Sequence, residues 1–249
     1  MSTPARRVVV ITGAGGTLGA ALARRFASER DTDLVLSDVS DAALAATLEG
    51  LGDLRDAVVT RPADVTDATQ VDAVVAQAIE HFGRLDVLIG NAGVLAPNGR
   101  IHNLTTDDWE RVIGVNLLGS VNNIRAALPP MRAQQSGSIV LTASVAGLTA
   151  WSHAAPYCAT KAAVIQLAKV AAVEYARDGI RVNCVCPGTF VSGIHAGLPP
   201  QALDAIESDH PLGLGSADDL VGAYSYLASD AARWTTGSAM VVDGGYSAP

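Results

Sequence analysis

The chain has 249 residues, of which 49% are hydrophobic and 17% charged, and its formal net charge is -8. This composition is too apolar for a disordered chain. The 17 basic residues are scattered, which argues against a surface that follows nucleic-acid phosphates, so a small diffusible molecule is the expected partner. No linker or composition shift divides the sequence, and one domain over residues 1–249 is expected.

Cysteine usage and the N-terminal residues favour a reducing compartment. Cys158, Cys184 and Cys186 are an odd number without a second Cys or His pair at zinc spacing, so we expect buried small side chains and no metal. The apolar run after Arg6 and Arg7 is too short for a signal peptide, and no run reaches membrane-spanning length. The sequence therefore predicts a cytoplasmic protein without a membrane partner.

Short β-branched runs alternate with longer helical patterns along the whole chain. The helical patterns include Leu18–Ser28, Asp67–His81, Thr106–Ala133, Ala154–Arg177 and Ala217–Ala228. The seven predicted strands are Val8–Ile11, Leu34–Leu36, Ala57–Thr60, Leu85–Ile89, Ser138–Leu141, Arg181–Val185 and Met240–Val242. This alternation, with strands apolar throughout, predicts an α/β Rossmann fold: a doubly wound, seven-stranded parallel sheet with helices on both faces. A Gly- and Pro-rich segment at about 188–215 is expected to be a substrate loop.

A glycine-rich turn directly follows the first predicted strand and opens a helix. At that place, glycines let the backbone approach a pyrophosphate, and the helix presents free N–H groups and the positive end of its dipole. The turn therefore predicts a dinucleotide site, although a tight strand-to-helix connection would also explain it. Its expected cofactor contacts are Gly13, Gly15, Gly16, Thr17, Leu18 and Gly19.

Asp38 follows the second predicted strand, 19 residues beyond Gly19. A carboxylate there can accept both hydroxyl hydrogens of the adenosine ribose, and its charge would repel a 2'-phosphate. No Lys or Arg stands at positions 16, 37 or 39, so NAD is favoured over NADP. The alternative is a solvated aspartate in a turn.

Further motifs, taken with the glycine turn, resemble the short-chain dehydrogenase/reductase family over essentially the whole chain. Asp64–Val65, Asn91–Ala92–Gly93 and Pro187–Gly188 resemble cofactor-binding signatures of that family, and Thr17 departs from it by standing where a glycine is usual. The resemblance also implies a cofactor contact from Ser192. Phe190 is expected to contact the cofactor and is a candidate wall of the substrate pocket. Its catalytic tetrad is matched in order and spacing by Asn116, Ser144, Tyr157 and Lys161.

Tyr157 and Lys161 are four residues apart in a helical pattern, so they project from one face and their polar ends can converge. A neighbouring ammonium is expected to lower the pKa of the phenol toward neutrality. The hypothesis is that Tyr157 removes the proton of an alcohol while hydride leaves the same carbon for the nicotinamide, and that Ser144 binds the same oxygen. The resemblance implies that Lys161 also holds the nicotinamide ribose and that Asn116 anchors a water leading to Lys161.

The segments expected to line a substrate pocket are Val94–Asn98, Val145–Pro156 and Thr189–Pro211. They contain no Lys or Arg, which favours a neutral, largely apolar secondary alcohol or ketone. The candidate substrate contacts are Ser144, Trp151, His153, Tyr157 and His195. The alternative for Trp151 is ordinary packing, and the alternative for each histidine is an exposed position in a loop. Two alternatives stay open: an NADPH-dependent reductase of the 3-oxoacyl type, and a non-catalytic dinucleotide-binding protein of the same fold.

The predicted helix around Ala162–Val173 is apolar nearly all round. One face can cover the sheet, and the other needs a partner. A homo-oligomer is therefore expected, and most relatives in the resembled family are tetramers.

Overall fold

The seven strands form one parallel sheet in the order β3-β2-β1-β4-β5-β6-β7. They were located in a computed structural model, which describes residues 6–192, 204 and 206–248. The strand order reverses between β1 and β4, which confirms the predicted doubly wound Rossmann architecture. The strands are β1 Arg7–Thr12, β2 Thr32–Asp38, β3 Val58–Pro62, β4 Val87–Gly90, β5 Gly137–Thr142, β6 Ile180–Pro187 and β7 Ala239–Val242.

Helices cover both faces of the sheet, and each face has its own hydrophobic cluster. The helices are α1 Thr17–Ala27, α2 Asp41–Gly50, α3 Ala68–Phe82, α4 Thr106–Val112, α5 Gly119–Gln134, α6 Ala155–Tyr175 and α7 Ala217–Ala228. On β4, Leu88 belongs to the cluster shared with α3, α5 and α6, whereas Ile89 belongs to the cluster shared with α1, α2 and α7. Successive strand residues point to opposite faces, so both faces need apolar side chains. None of the helices described is long and apolar enough to cross a bilayer.

The predicted single helix over Thr106–Ala133 is interrupted in the structure. Between α4 and α5, residues Ile113–Leu118 form a π-helical segment, which contains the buried Asn116. The hydroxyl of Ser120 donates to the backbone carbonyl of Asn116 at 2.7 Å. The π turn lies inside an apolar run, Ile113–Leu118, that is also compatible with a regular α-helix, so the sequence does not reveal it.

The turn after β1 packs tightly against the turn after β4. Gly13 has a φ of +66°, and a Cβ added there would lie 2.7 Å from the backbone of Ala92. At Gly19 an added Cβ would lie 2.1 Å from the carbonyl oxygen of Gly13. These two positions therefore accept only glycine if α1 is to start close to the sheet.

We expect Gly19→Ala to lower the free energy of unfolding by about 2 kcal/mol, because the new methyl group overlaps backbone that cannot move aside. Gly222→Ala is the matched control, since an added Cβ at this exposed position in α7 has nothing within 4 Å. The control is expected to gain about 0.5 to 1 kcal/mol from helix propensity. Urea unfolding measures both changes, and equal effects would contradict the close approach.

Candidate active site

A cleft of about 1200 Å3 runs along the edge of the sheet where the strands end. Parallel strands bring all their carboxyl ends to one edge, so the loops after β1, β2, β4, β5 and β6 meet there. The predicted site residues that line the cleft are Gly13, Gly16, Thr17, Leu18, Asp38, Asp64, Val65, Asn91, Ala92, Gly93, Ser144, Trp151, Tyr157, Lys161, Pro187, Gly188, Phe190 and Ser192.

Four of the predicted site residues lie outside the cleft wall. Gly15 lies behind Asp38, Gly19 packs against the Gly13 turn, and Asn116 is buried beneath the loop after β4. His153 is exposed, with its ring against the hydroxyl of Ser152, so the structure does not bring it into the cleft. His195 lies outside the described residues.

The glycine turn and the start of α1 have the features that a pyrophosphate needs. Gly16 is the N-cap residue of α1, so no side chain caps the helix, and Gly16, Thr17 and Leu18 line the cleft. The positive end of the helix dipole therefore faces the cleft. Thr17 is the first helical residue, is exposed and lines the cleft. These residues fit a dinucleotide.

The carboxylate of Asp38 is held at the end of β2 by two backbone groups. It accepts hydrogen bonds from the N–H of Gly15 and the N–H of Ser40, both at 3.0 Å. A Cβ on Gly15 would lie 2.5 Å from the Cβ of Ala43 and 3.0 Å from Asp38 Oδ2, so a larger residue would force α2 or the carboxylate to shift. A carboxylate fixed in this way, with each oxygen retaining a free lone pair, can still accept ribose hydroxyl groups.

The loop after β3 lines the cleft with Asp64 and Val65. Asp64 Oδ1 accepts from the N–H of Thr66 at 2.9 Å and from its hydroxyl at 2.8 Å, which turns the carboxylate back on its own loop. Val65 is buried against Gly119, where an added Cβ would lie 2.8 Å from it. Farther along the cleft, the N–H of Gly188 donates to the carbonyl of Val242 at 2.9 Å.

Ser144 and Tyr157 meet in the middle of the cleft. Ser144 caps a short 3-10 turn, where its hydroxyl accepts from the N–H of Ala146 at 3.1 Å. Tyr157 lies in the first turn of α6 and hydrogen-bonds Ser144. Burial raises the pKa of Tyr157, and the bond to Ser144 lowers it by less. The phenol is therefore neutral at neutral pH, contrary to the expected lowering.

The Lys161 ammonium lies over the ring of Tyr157. Its Nζ lies 5.6 Å from the Tyr157 ring centroid and donates to the backbone carbonyl of Thr142 at 2.7 Å. The side chain is buried, and burial lowers the pKa of Lys161 to about 8. The ammonium is therefore largely protonated at neutral pH but gives up its proton readily above it.

The side-chain amide of Asn116 hydrogen-bonds the backbone of the loop after β4, which lines the cleft. Its Oδ1 accepts from the N–H of Val94 at 2.8 Å and its Nδ2 donates to the carbonyl of Val94 at 3.0 Å. A Cβ on Gly93 would lie 3.4 Å from both Asn116 Oδ1 and Lys161 Nζ. The Asn116 amide therefore fixes the Val94 loop beside Lys161, and the absence of a side chain at Gly93 leaves space for the lysine ammonium.

Thr142 is a site residue that the sequence analysis missed. Its hydroxyl donates to Asn91 Oδ1 at 3.1 Å, so the hydroxyl of Tyr224, 2.8 Å away, must donate to Thr142. Asn91 in turn donates to the carbonyl of Gly13 at 3.0 Å. A directed chain of hydrogen bonds thus connects the buried Tyr224 on α7 to the cofactor turn. The position of Thr142 at the end of a strand, two residues before Ser144, is the available signal.

The further cleft residues that were not singled out individually include Asp209, His210 and Tyr246. The first two fall within the segment Thr189–Pro211 that was expected to line the pocket. Tyr246 comes from the turn after β7, and the Gly-Gly pair that precedes it at the carboxyl end of a strand is the sequence signal that could have found it.

Comparison with known proteins identifies the family of this chain. A family model described as enoyl-(acyl carrier protein) reductase, within the short-chain dehydrogenase/reductase family, matches residues 13–247. The cis-4-hydroxycyclohexanecarboxylate dehydrogenase of Sinomonas cyclohexanicum is 40% identical over 98% of this chain and 98% of its own. The meso-2,3-butanediol dehydrogenase of Serratia marcescens is 38% identical over 97% of this chain and 95% of its own. The structure of ElxO with NADP bound is 31% identical, with a TM-score of 0.92 over 98% of this chain and all of that one.

The chain belongs to the short-chain dehydrogenase/reductase family. It is a secondary-alcohol dehydrogenase or ketone reductase that uses a nicotinamide dinucleotide.

The lowered pKa of Lys161 predicts a pH dependence of stability. Below about pH 8 the lysine is protonated in the folded and unfolded chains alike. Between about 8 and 10.5 only the unfolded chain keeps the proton, so the free energy of unfolding rises with pH, by about 3 kcal/mol in total.

In Lys161→Met this rise is expected to be missing. Lys169→Met, which removes the exposed lysine of the same helix, is the control and should keep it. Urea unfolding between pH 7.5 and 10.5 measures the difference, and parallel curves for the wild type and Lys161→Met would contradict the burial of a titrating lysine.

Proposed function

We propose that this enzyme interconverts neutral, largely apolar secondary alcohols and their ketones with NAD(H). The observation that carries the proposal is the contact of Ser144, Tyr157 and Lys161 in the middle of the cleft, between the Asp38 end and an aromatic-lined end. The nicotinamide ring, when bound, takes up or gives hydride. Asn116, Ser144, Tyr157 and Lys161 supply the proton chemistry, the orientation and the charge.

The proton passes through Tyr157. In reduction, the neutral phenol donates its proton to the substrate oxygen, while the Ser144 hydroxyl holds that oxygen and stabilises its developing charge. In oxidation, the same phenol must first lose its proton, and burial opposes this. The Lys161 ammonium, held at the ring by Thr142, stabilises the phenolate form and also binds the nicotinamide ribose. Asn116 holds the Val94 loop beside this lysine. The family resemblance would also give Asn116 a water that leads to the lysine.

The charges around the cleft support a neutral substrate. Among the described residues that line it, Lys161 is the one cation, and it is committed to Thr142 and the Tyr157 ring. Asp209 adds a carboxylate at the substrate end. The relative from Sinomonas cyclohexanicum is named for a carboxylate substrate with a six-membered ring. This chain shares the secondary alcohol chemistry but is proposed to prefer substrates without the carboxylate.

Tyr157→Phe tests the proton transfer. The variant keeps the ring that packs against Trp151 but has no hydroxyl, so kcat is expected to fall about a thousandfold with little change in folding. Tyr175→Phe, at the far end of the same helix, is the control and should keep wild-type kcat. The measurement is nicotinamide absorbance with cyclohexanol and cyclohexanone. A Tyr157→Phe enzyme with more than a tenth of the wild-type rate would overturn the mechanism.

The cofactor proposed is NAD, because Asp38 holds a negative charge where NADP carries its 2'-phosphate. The similar ElxO structure contains NADP, so the two cofactors must be distinguished directly. Asp38→Asn is expected to lower the ratio of kcat/KM for NAD to that for NADP about tenfold or more, because repulsion is removed and a ribose acceptor is weakened.

Asp41→Asn is the control for this substitution. It removes an exposed carboxylate in the first turn of α2, three residues from Asp38, and should leave the ratio within about twofold. A wild-type preference for NADP would contradict the proposed role of Asp38.

We also propose that the protein is a homo-oligomer, with a tetramer as the expected size. On α6, the side chains of Val170 and Val173 are 45% and 82% exposed, and Leu118 of the adjacent π segment is 52% exposed. Apolar area of this kind on a helix face favours a second copy as partner. Light scattering is expected to give a multiple of the chain mass, reduced in Val173→Glu but not in Leu54→Glu on the far side of the sheet. A monomeric wild type would refute the proposal.

A further inference from the structure

Four rings form a continuous row along the substrate end of the cleft, beginning at the catalytic tyrosine. Trp151 stacks on Tyr157 with centroids 6.1 Å apart and planes 23° apart. Tyr246 meets Trp151 edge-on at 6.3 Å, and His210 stacks on Tyr246 at 4.8 Å. All four line the cleft, so a substrate whose oxygen reaches Tyr157 has its carbon skeleton beside these rings.

The position of Tyr246 is set by the C-terminal turn. Asp243 closes this turn with its carboxylate, which accepts from the N–H of Gly245 at 2.9 Å and from the N–H and hydroxyl of Ser247 at 2.8 and 2.6 Å. The N–H of Leu212 donates to the carbonyl of Gly244 at 3.0 Å, which joins the turn to the substrate loop. The ring of Tyr246 is therefore held in place before any ligand binds.

His210 supports Tyr246 from behind and is itself fully engaged. Its Nε2 accepts from the N–H of Thr189 at 3.1 Å, so its Nδ1 carries the hydrogen and donates to the carbonyl of Ile206 at 2.8 Å. The side chain is 4% exposed. Both ring nitrogens are hydrogen-bonded to loop backbone, so His210 acts as a packing support and not as a second proton donor.

We propose that Tyr246 is a specificity-determining residue, whose ring, together with Trp151, selects substrates that present a compact apolar ring next to the carbinol carbon. This inference rests on the proposed function. A rigid ring contacts a fixed aromatic face over a large area and has few rotors to immobilise, whereas an open chain of the same carbon number must be ordered to make the same contact. The selection depends on the ring of Tyr246 and not on its hydroxyl.

The test compares two neutral alcohols with six carbons each, cyclohexanol and 2-hexanol, in the wild type, Tyr246→Leu and Tyr246→Phe. Leucine keeps an apolar side chain that packs against the core but removes the flat face. Tyr246→Leu is expected to lower kcat/KM about tenfold for cyclohexanol and less than about twofold for 2-hexanol, and Tyr246→Phe to keep the wild-type ratio. Tyr175→Leu, which removes a tyrosine that packs on the core away from the cleft, should leave the ratio unchanged.

Thermal unfolding shows whether each variant is folded at the assay temperature. Because both kcat/KM values are measured on the same sample, their ratio does not depend on the fraction of protein that is folded. An unchanged ratio in Tyr246→Leu, or an equal shift in Tyr246→Phe, would overturn the specificity role and leave the proposed function standing. A wild type that turns over neither alcohol would overturn the proposed function and this inference with it.

Discussion

The hydrogen bond from the buried Lys161 ammonium to the carbonyl of Thr142 is the interaction on which the site depends. Burying an ammonium is unfavourable, and the lowered pKa of Lys161 shows that much of this cost remains in the folded protein. The bond directs the charge to the ring of Tyr157 and ties α6 to the end of β5. A site held in this way has its charge in place before substrate arrives, which is how a protein stabilises developing charge without reorganising.

Thr142 links this bond to the cofactor end. Its carbonyl receives Lys161, and its hydroxyl continues the chain from Tyr224 through Asn91 to the carbonyl of Gly13. The carbonyl of Gly13 is also the atom that Gly19 must approach, so helix packing and cofactor geometry use the same turn. A shift of the Gly13 carbonyl would therefore be transmitted to Lys161 through the hydrogen bonds of Asn91 and Thr142.

The proposed substrate end of the cleft is built differently from the proposed cofactor end. The cofactor end consists of strand ends and turns whose backbone groups are bonded to the sheet, whereas the substrate end is assembled from rings contributed by distant parts of the chain. Trp151 precedes α6, His210 lies in the substrate loop and Tyr246 follows β7. Tyr246 contacts Trp151 and His210 through ring faces and edges, so the proposed specificity residue is separated from Tyr157 by one ring.

The sequence by itself determined the sheet, the cofactor turn and the spacing of Ser144, Tyr157 and Lys161, because apolar periodicity and strand-end glycines are local properties of the chain. It also predicted the cleft segment containing His210 through the loop composition. Only the tertiary structure decided that His153 is exposed outside the cleft wall, that a π segment carries Asn116, and that Tyr246 lines the cleft. It also reversed the expected pKa shift of Tyr157, since the balance between desolvation and a neighbouring charge depends on burial and on where the ammonium lies, and no spacing along a helix specifies either.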